Sequence, residues 1–178
     1  DQSYFAYYHL DQARAKGYTG KGVTIALIDG EVDTSAPELA GATIIDKTPC
    51  TVTSGANSKS HGMAMASLLV SKEYSVAPDA TLLAYRTTFP KDGDKAESDC
   101  QGHHGNSLYE PEWLINQAIT DGAQIISISS SSRDTSGAVK WAIARANALG
   151  VIVVGPAGND NEEETLHTYG KWSGVVSV

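Results

Sequence analysis

With 178 residues, a formal charge of −8 and a pI near 5.0, the chain suits one domain burying roughly 70% of its unfolded surface, and it lacks the basic face that nucleic acid or an anionic membrane requires. Hydrophobic residues make up 41% and charged residues 19%, with 17 glycines, which excludes a disordered or collagen-like chain. No apolar stretch approaches the ~20 residues that span a bilayer and no basic leader precedes an apolar segment, so the expectation is a soluble chain, already processed if secreted.

The chain opens on the aromatic run Tyr4-Phe5-Ala6-Tyr7-Tyr8 and continues through helix formers to Lys16, with Gly17 as the expected stop. A glycine-rich turn, 17–22, leads into Val23-Thr24-Ile25-Ala26-Leu27-Ile28-Asp29-Gly30, an apolar run without alternation that reads as a strand buried on both faces. Because these glycines precede a strand instead of following one, they do not form a phosphate cradle. A loop to Ala40 and a short β-like stretch at Ala42–Ile45 follow, then a polar excursion over 46–60. From His61 the chain turns apolar, and 62–70 reads as a buried helix whose first turn carries His61.

Val76-Ala77-Pro78-Asp79-Ala80 is a turn before a second buried strand at 81–87, and 88–107 is a long polar loop of the kind that is usually functional or mobile. Glu110-Pro111-Glu112-Trp113 opens a helix that runs to about Asp121 and stops at Gly122. A third strand, 123–128, runs into Ser129-Ser130-Ser131-Ser132; Thr135 or Ser136 caps a helix through Leu149; and a fourth strand, Val151–Val154, runs into Gly155-Pro156-Ala157-Gly158-Asn159. Gly174–Val178 opens another strand. Strands alternating with helices predict an α/β fold, a doubly wound, mostly parallel sheet with helices on both faces.

Cys50 and Cys100 lie in polar stretches that read as exposed loops, which points to a disulfide and an oxidising compartment, two free thiols being the alternative. Asp99, Cys100, His103 and His104 could offer metal ligands, but a closed zinc site needs four converging ligands at defined spacing, so no metal is expected.

Three polar groups stand at element boundaries: Asp29 ends a strand, His61 opens a helix, and Asn159 follows a strand. In an open α/β sheet the carboxyl ends of the strands face the ligand crevice. A carboxylate there can hold an imidazole in one tautomer and stabilise its charged form, and an amide can donate to an oxyanion, a contact worth about 3 to 4 kcal/mol. The bland readings are a turn-forming Asp before Gly and a helix-start histidine with a local hydrogen bond.

Several segments, in order, resemble the subtilisin-like serine proteases: Gly17-Tyr18-Thr19-Gly20-Lys21-Gly22-Val23 into Ile28-Asp29, Ser60-His61-Gly62, Val76-Ala77-Pro78-Asp79-Ala80, Gly122-Ala123 before Ile125-Ile126, and Ala157-Gly158-Asn159. The resemblance implies a serine endopeptidase acting on peptide or protein substrates, with Asp29 and His61 as triad acid and base and Asn159 as the oxyanion amide. It implies that Ser129, Ser130 and Ser131 pair with the substrate backbone and that Leu108-Tyr109 is the opposing strand, peptide recognition by strand addition; a solvated serine loop is the alternative for the former. It further implies secretion.

The departures are as informative. Gly30-Glu31 stands where the family has Thr or Ser and then Gly, and Met63-Ala64 where it usually has Thr-His. The segment from His61 to Val76 is shorter than in calcium-binding members, so no calcium and no other cofactor is expected there despite a matching Gln2. No Gly-Thr-Ser-Met-Ala-x-Pro segment occurs, so residues 1–178 are expected to be the amino-terminal portion of one subtilase domain, silent alone, with the serine supplied by a carboxyl-terminal remainder, possibly a second chain. The sheet edge at Val178 is then an association hazard. The rival expectation is a catalytically silent relative that binds peptides or assembles with a partner.

Overall fold

The computed structural model describes residues 3–47, 56–87, 110–130, 136–158 and 169–178. A six-stranded, wholly parallel sheet forms the centre, built from β1 (Thr24–Asp29), β2 (Thr43–Asp46), β3 (Thr81–Arg86), β4 (Ile125–Ile128), β5 (Ile152–Gly155) and β6 (Val175–Ser177), in the order β2-β3-β1-β4-β5-β6. After β1 the chain fills one side of it with β2 and β3, then crosses to fill the other with β4 to β6. The winding therefore reverses at β1, and the carboxyl end of β1 lies where such sheets open a crevice.

The reversal distributes the helices to both faces. Helix α3 (Ala56–Val70) packs its Ala66 and Val70 on Ile25, Leu27 and Leu82, while α4 (Pro111–Thr120) and α5 (Gly137–Ala148) pack Leu114, Ile115, Val139 and Ile143 on Ala26, Ile28, Tyr85 and Ile126. Both faces of β1 are thus buried, which is why its sequence shows no polar alternation. The alternation survives as parity: Ile25 and Leu27 face α3, so the side chain two residues further on, that of Asp29, is directed to the α3 side as well.

The amino-terminal helical stretch is two helices, α1 (Ser3–Tyr7) and α2 (Leu10–Ala15), divided at His9, whose φ of 53° is left-handed. The loop after β1 contains a 3₁₀ turn at Pro37–Leu39 that buries Leu39 against the α3 face. Helix α3 begins at Ala56, so His61 stands in its second turn and not its first. Asn57, Ser58, Lys59 and Ser60 do not read as a helix because Asn and Ser compete locally for backbone groups; the burial of Ser58 against the exit of β1 supplies the tertiary contact that outweighs this. Ser136 is the cap of α5, its hydroxyl accepting from the Val139 amide at 3.4 Å.

Candidate active site

Asp29 is the last residue of β1 and is fully buried. Its backbone is tied to the sheet, where it pairs with Arg86 in register and its carbonyl accepts from the Thr87 amide at 2.8 Å. Its Oδ1 accepts from the Gly30 amide at 2.5 Å and lies 2.8 Å from His61 Nδ1. An ionised carboxylate can only accept, so Nδ1 carries the ring proton in this contact. The His61 side chain is 37% exposed, against 0% for Asp29, so the pair joins the interior to the surface. Oδ2 of Asp29 is buried with no hydrogen-bond partner among the described residues, an arrangement that costs about 1 to 3 kcal/mol.

The other sequence-derived positions divide between described and undescribed residues. Ser129 and Ser130 are partly buried and directly follow β4. Ile28 and Ile128 are in register, so Asp29 and Ser129 leave the sheet side by side. Ser131, Leu108, Tyr109, Asn159, Cys50 and Cys100 lie outside the described residues, as do Asp99, His103, His104 and Gln2. The described chain beyond β5 runs to Gly158, at the carboxyl end of the sheet beside β4.

Glu31, the acidic departure beside Asp29, turns toward α3: its carboxylate is 3.7 Å from Lys59 Nζ, and its amide donates to Ser58 Oγ at 3.3 Å. Met63 holds the same loop, its sulfur accepting from the Asp33 amide at 3.2 Å. Among the described residues no group of three or more His, Cys, Asp or Glu side chains converges on a metal site. After α3, three loop carbonyls serve a guanidinium. Arg14 Nη1 donates to the Lys72 and Glu73 carbonyls at 3.1 and 2.9 Å, and Nη2 donates to the Ser75 carbonyl at 2.5 Å. A fixed positive charge amid those oxygens does not fit a hard cation.

The sequence matches the subtilase family over residues 20–178. The chain belongs to the subtilase family. It is 27% identical to subtilisin E of Bacillus subtilis (strain 168) over 187 residues, covering 96% of this chain and 45% of that protein. It is 30% identical to the major intracellular serine protease of the same strain over 181 residues, covering 92% of this chain and 52% of that one. The chain therefore spans about half the length of these curated relatives. Among solved structures, the protease domain of PatA superposes with a TM-score of 0.73 at 23% identity, covering 90% of this chain and 58% of that one. The PatG macrocyclase in complex with peptide superposes with a TM-score of 0.66 at 14% identity, over 94% of this chain and 60% of that one. These two likenesses concern the subtilisin-like fold.

Two features escaped sequence reading. Gly30 and Ser58 are close because β1 exits against α3, and nothing in either local sequence signals that approach. Arg14 reads as the basic end of a helix, yet it binds a loop about 60 residues away.

Proposed function

We propose that residues 1–178 are the amino-terminal portion of a subtilisin-like serine endopeptidase domain, contributing its acid, base and oxyanion donor. The observation that carries this reading is the 2.8 Å contact between His61 Nδ1 and the buried Asp29 Oδ1 at the winding reversal of the sheet. With Nδ1–H held by the carboxylate, Nε2 is the ring nitrogen that takes the proton of an attacking alcohol. As the ring becomes cationic, the buried carboxylate stabilises it through the Oδ1 contact.

The alcohol in this reading is a serine from polypeptide outside these 178 residues, whether a continuation or a second chain. Asn159 donates to the tetrahedral intermediate's oxyanion. The substrate peptide lies between Ser129-Ser130-Ser131 and Leu108-Tyr109, paired as an added strand. Its chemical class is peptide, in keeping with relatives named as proteases. The compartment is proposed as secreted or extracellular, with Cys50 joined to Cys100; one relative is named an extracellular protease and another an intracellular one. Thiol alkylation of native material with and without reductant tests the pairing.

The deciding experiment is labelling of the full-length protein with a serine-directed phosphonate. Labelling that disappears in His61→Ala supports the reading; no labelling, with the fold intact by circular dichroism, removes it. The Gly30-Glu31 and Met63-Ala64 departures favour a second reading, a silent relative that binds peptides. Peptide affinity unchanged by His61→Ala, without turnover in the parent, supports that alternative.

A further inference from the structure

Gly30 follows the buried carboxylate, and its backbone conformation does not demand glycine, since its φ lies outside the left-handed region. Space does. A Cβ on Gly30 would run into the backbone carbonyl oxygen of Ser58, with the carbonyl carbon at 2.7 Å and Oγ at 2.8 Å. Gly62, one helical turn beyond Ser58 on the same side of α3, is equally crowded from the opposite direction. A Cβ there would stand 2.5 Å from the Glu31 carbonyl oxygen and 2.7 Å from the Gly30 carbonyl carbon. The backbone of 30–31 is therefore seated in a notch formed by positions i and i+4 of α3.

Two further contacts keep it there. The buried Ser58 hydroxyl accepts from the Glu31 amide at 3.3 Å, and Lys59 meets the Glu31 carboxylate at 3.7 Å. The second of these is between half-exposed groups and contributes little. Asp29 is fixed by the sheet and His61 by the helix; the segment in the notch is what joins them.

We infer that this interlock sets the separation of Asp29 and His61, making Gly30 and Ser58 positioning residues for the pair. The inference deepens the protease reading, and its kinetic consequence rests on that reading; its structural consequence does not. In this chain glycine at position 30, out of step with the family pattern, leaves the room that the Ser58 carbonyl of α3 occupies beside the exit of β1. A Cβ at 30 makes the notch give way, and where α3 yields by about 1 Å the 2.8 Å hydrogen bond lengthens past useful range, a misplacement that costs on the order of 10²-fold in rate.

The test uses the full-length protein with ¹⁵N-labelled histidine, read at a pH where the His61 ring is neutral. The parent should show His61 as the Nδ1–H tautomer, and Gly30→Ala should return it to the Nε2–H form preferred in water. Ser58→Ala should give a mixture. Lys59→Ala and Gly137→Ala, the latter at a glycine with nothing within 4 Å of a built Cβ, should leave the parent tautomer intact. In a peptidase assay Gly30→Ala should lower kcat by on the order of 10²-fold with KM within about twofold. An Nε2–H parent, or Nδ1–H retained in Gly30→Ala, overturns the inference. If Gly30→Ala does not fold, Ser58→Ala decides, and an unchanged tautomer in that folded variant overturns it. A parent without turnover sinks the protease reading alone, since the tautomer comparison stands without it.

Discussion

The two ends of α3 carry opposite kinds of electrostatic contact. Near its amino end, an imidazole meets one oxygen of a buried carboxylate at 2.8 Å, beside closely seated backbone. Beyond its carboxyl end, the Arg14 guanidinium is spread over the carbonyls of Lys72, Glu73 and Ser75 and stacks on the Phe5 ring at 5.0 Å, while Tyr4 donates to the Tyr74 carbonyl at 2.9 Å. The clamp distributes its energy over several acceptors, so a small displacement weakens it only slightly. The pair concentrates its energy in one vector, so the same displacement removes it. Substitutions at the clamp should therefore appear as lost stability, and substitutions around the pair as lost rate.

The largest effect is expected at the pair. Asp29→Asn presents an amide that can donate where the carboxylate only accepts, releasing the Nδ1–H tautomer, and on the proposed protease reading should lower the full-length protein's kcat by about 10⁴-fold while leaving its melting temperature nearly unchanged. Equal loss of stability and rate would erase the contrast between the two ends.

Next comes the clamp. Arg14→Ala removes three hydrogen bonds from a charged donor, partly solvent-exposed, and should cost about 2 kcal/mol, a fall of roughly 4 to 8 °C in melting temperature, with kcat held within about twofold. A chelator should leave the parent's melting temperature unchanged, since a guanidinium occupies the loop carbonyls after α3 and its positive charge disfavours a cation there. A chelator-induced drop would break that argument.

A smaller effect is expected on the opposite face, where the buried Tyr85 hydroxyl donates to Asp121 Oδ2 at 2.7 Å and Lys47 lies 3.5 Å from Oδ1. Burial pushes the Tyr85 hydroxyl far above its usual range, reinforced by the acceptor beside it. For Asp121, burial acts upward, but the hydrogen bonds from Tyr85 and Gln117 together with Lys47 hold its carboxyl below the ordinary value of 3.8. A depressed carboxyl binds fewer protons folded than unfolded, so its contribution is present above about pH 4 and lost as pH falls through the folded value. Asp121→Asn should lower stability by about 1 kcal/mol at neutral pH and flatten the acid limb of the urea midpoint against pH. A limb as steep as the parent's would place the acid sensitivity elsewhere.

Much of this arrangement can be read along the chain. The apolar run of β1, the carboxylate closing it, the stop at Gly17 and the cap at Ser136 are local signals, each set by side-chain periodicity or by the needs of a helix end. The start of α3 is not, because Asn57 to Ser60 favour a helix only once Ser58 is buried against the exit of β1. The break at His9 is likewise silent, a left-handed residue that no glycine marks.

Parity along β1 assigned Asp29 to one face of the sheet before any packing is considered, since successive side chains in a strand must alternate. Which helix covers that face, and at what distance, follows from the chain reversing at β1 and from the close seating of residues 30–31 against α3. Side-chain direction is a property of neighbouring backbone torsions and is written into the order of residues. The 2.8 Å approach of two groups 32 residues apart depends on how whole elements pack, and that packing exists only in the folded chain.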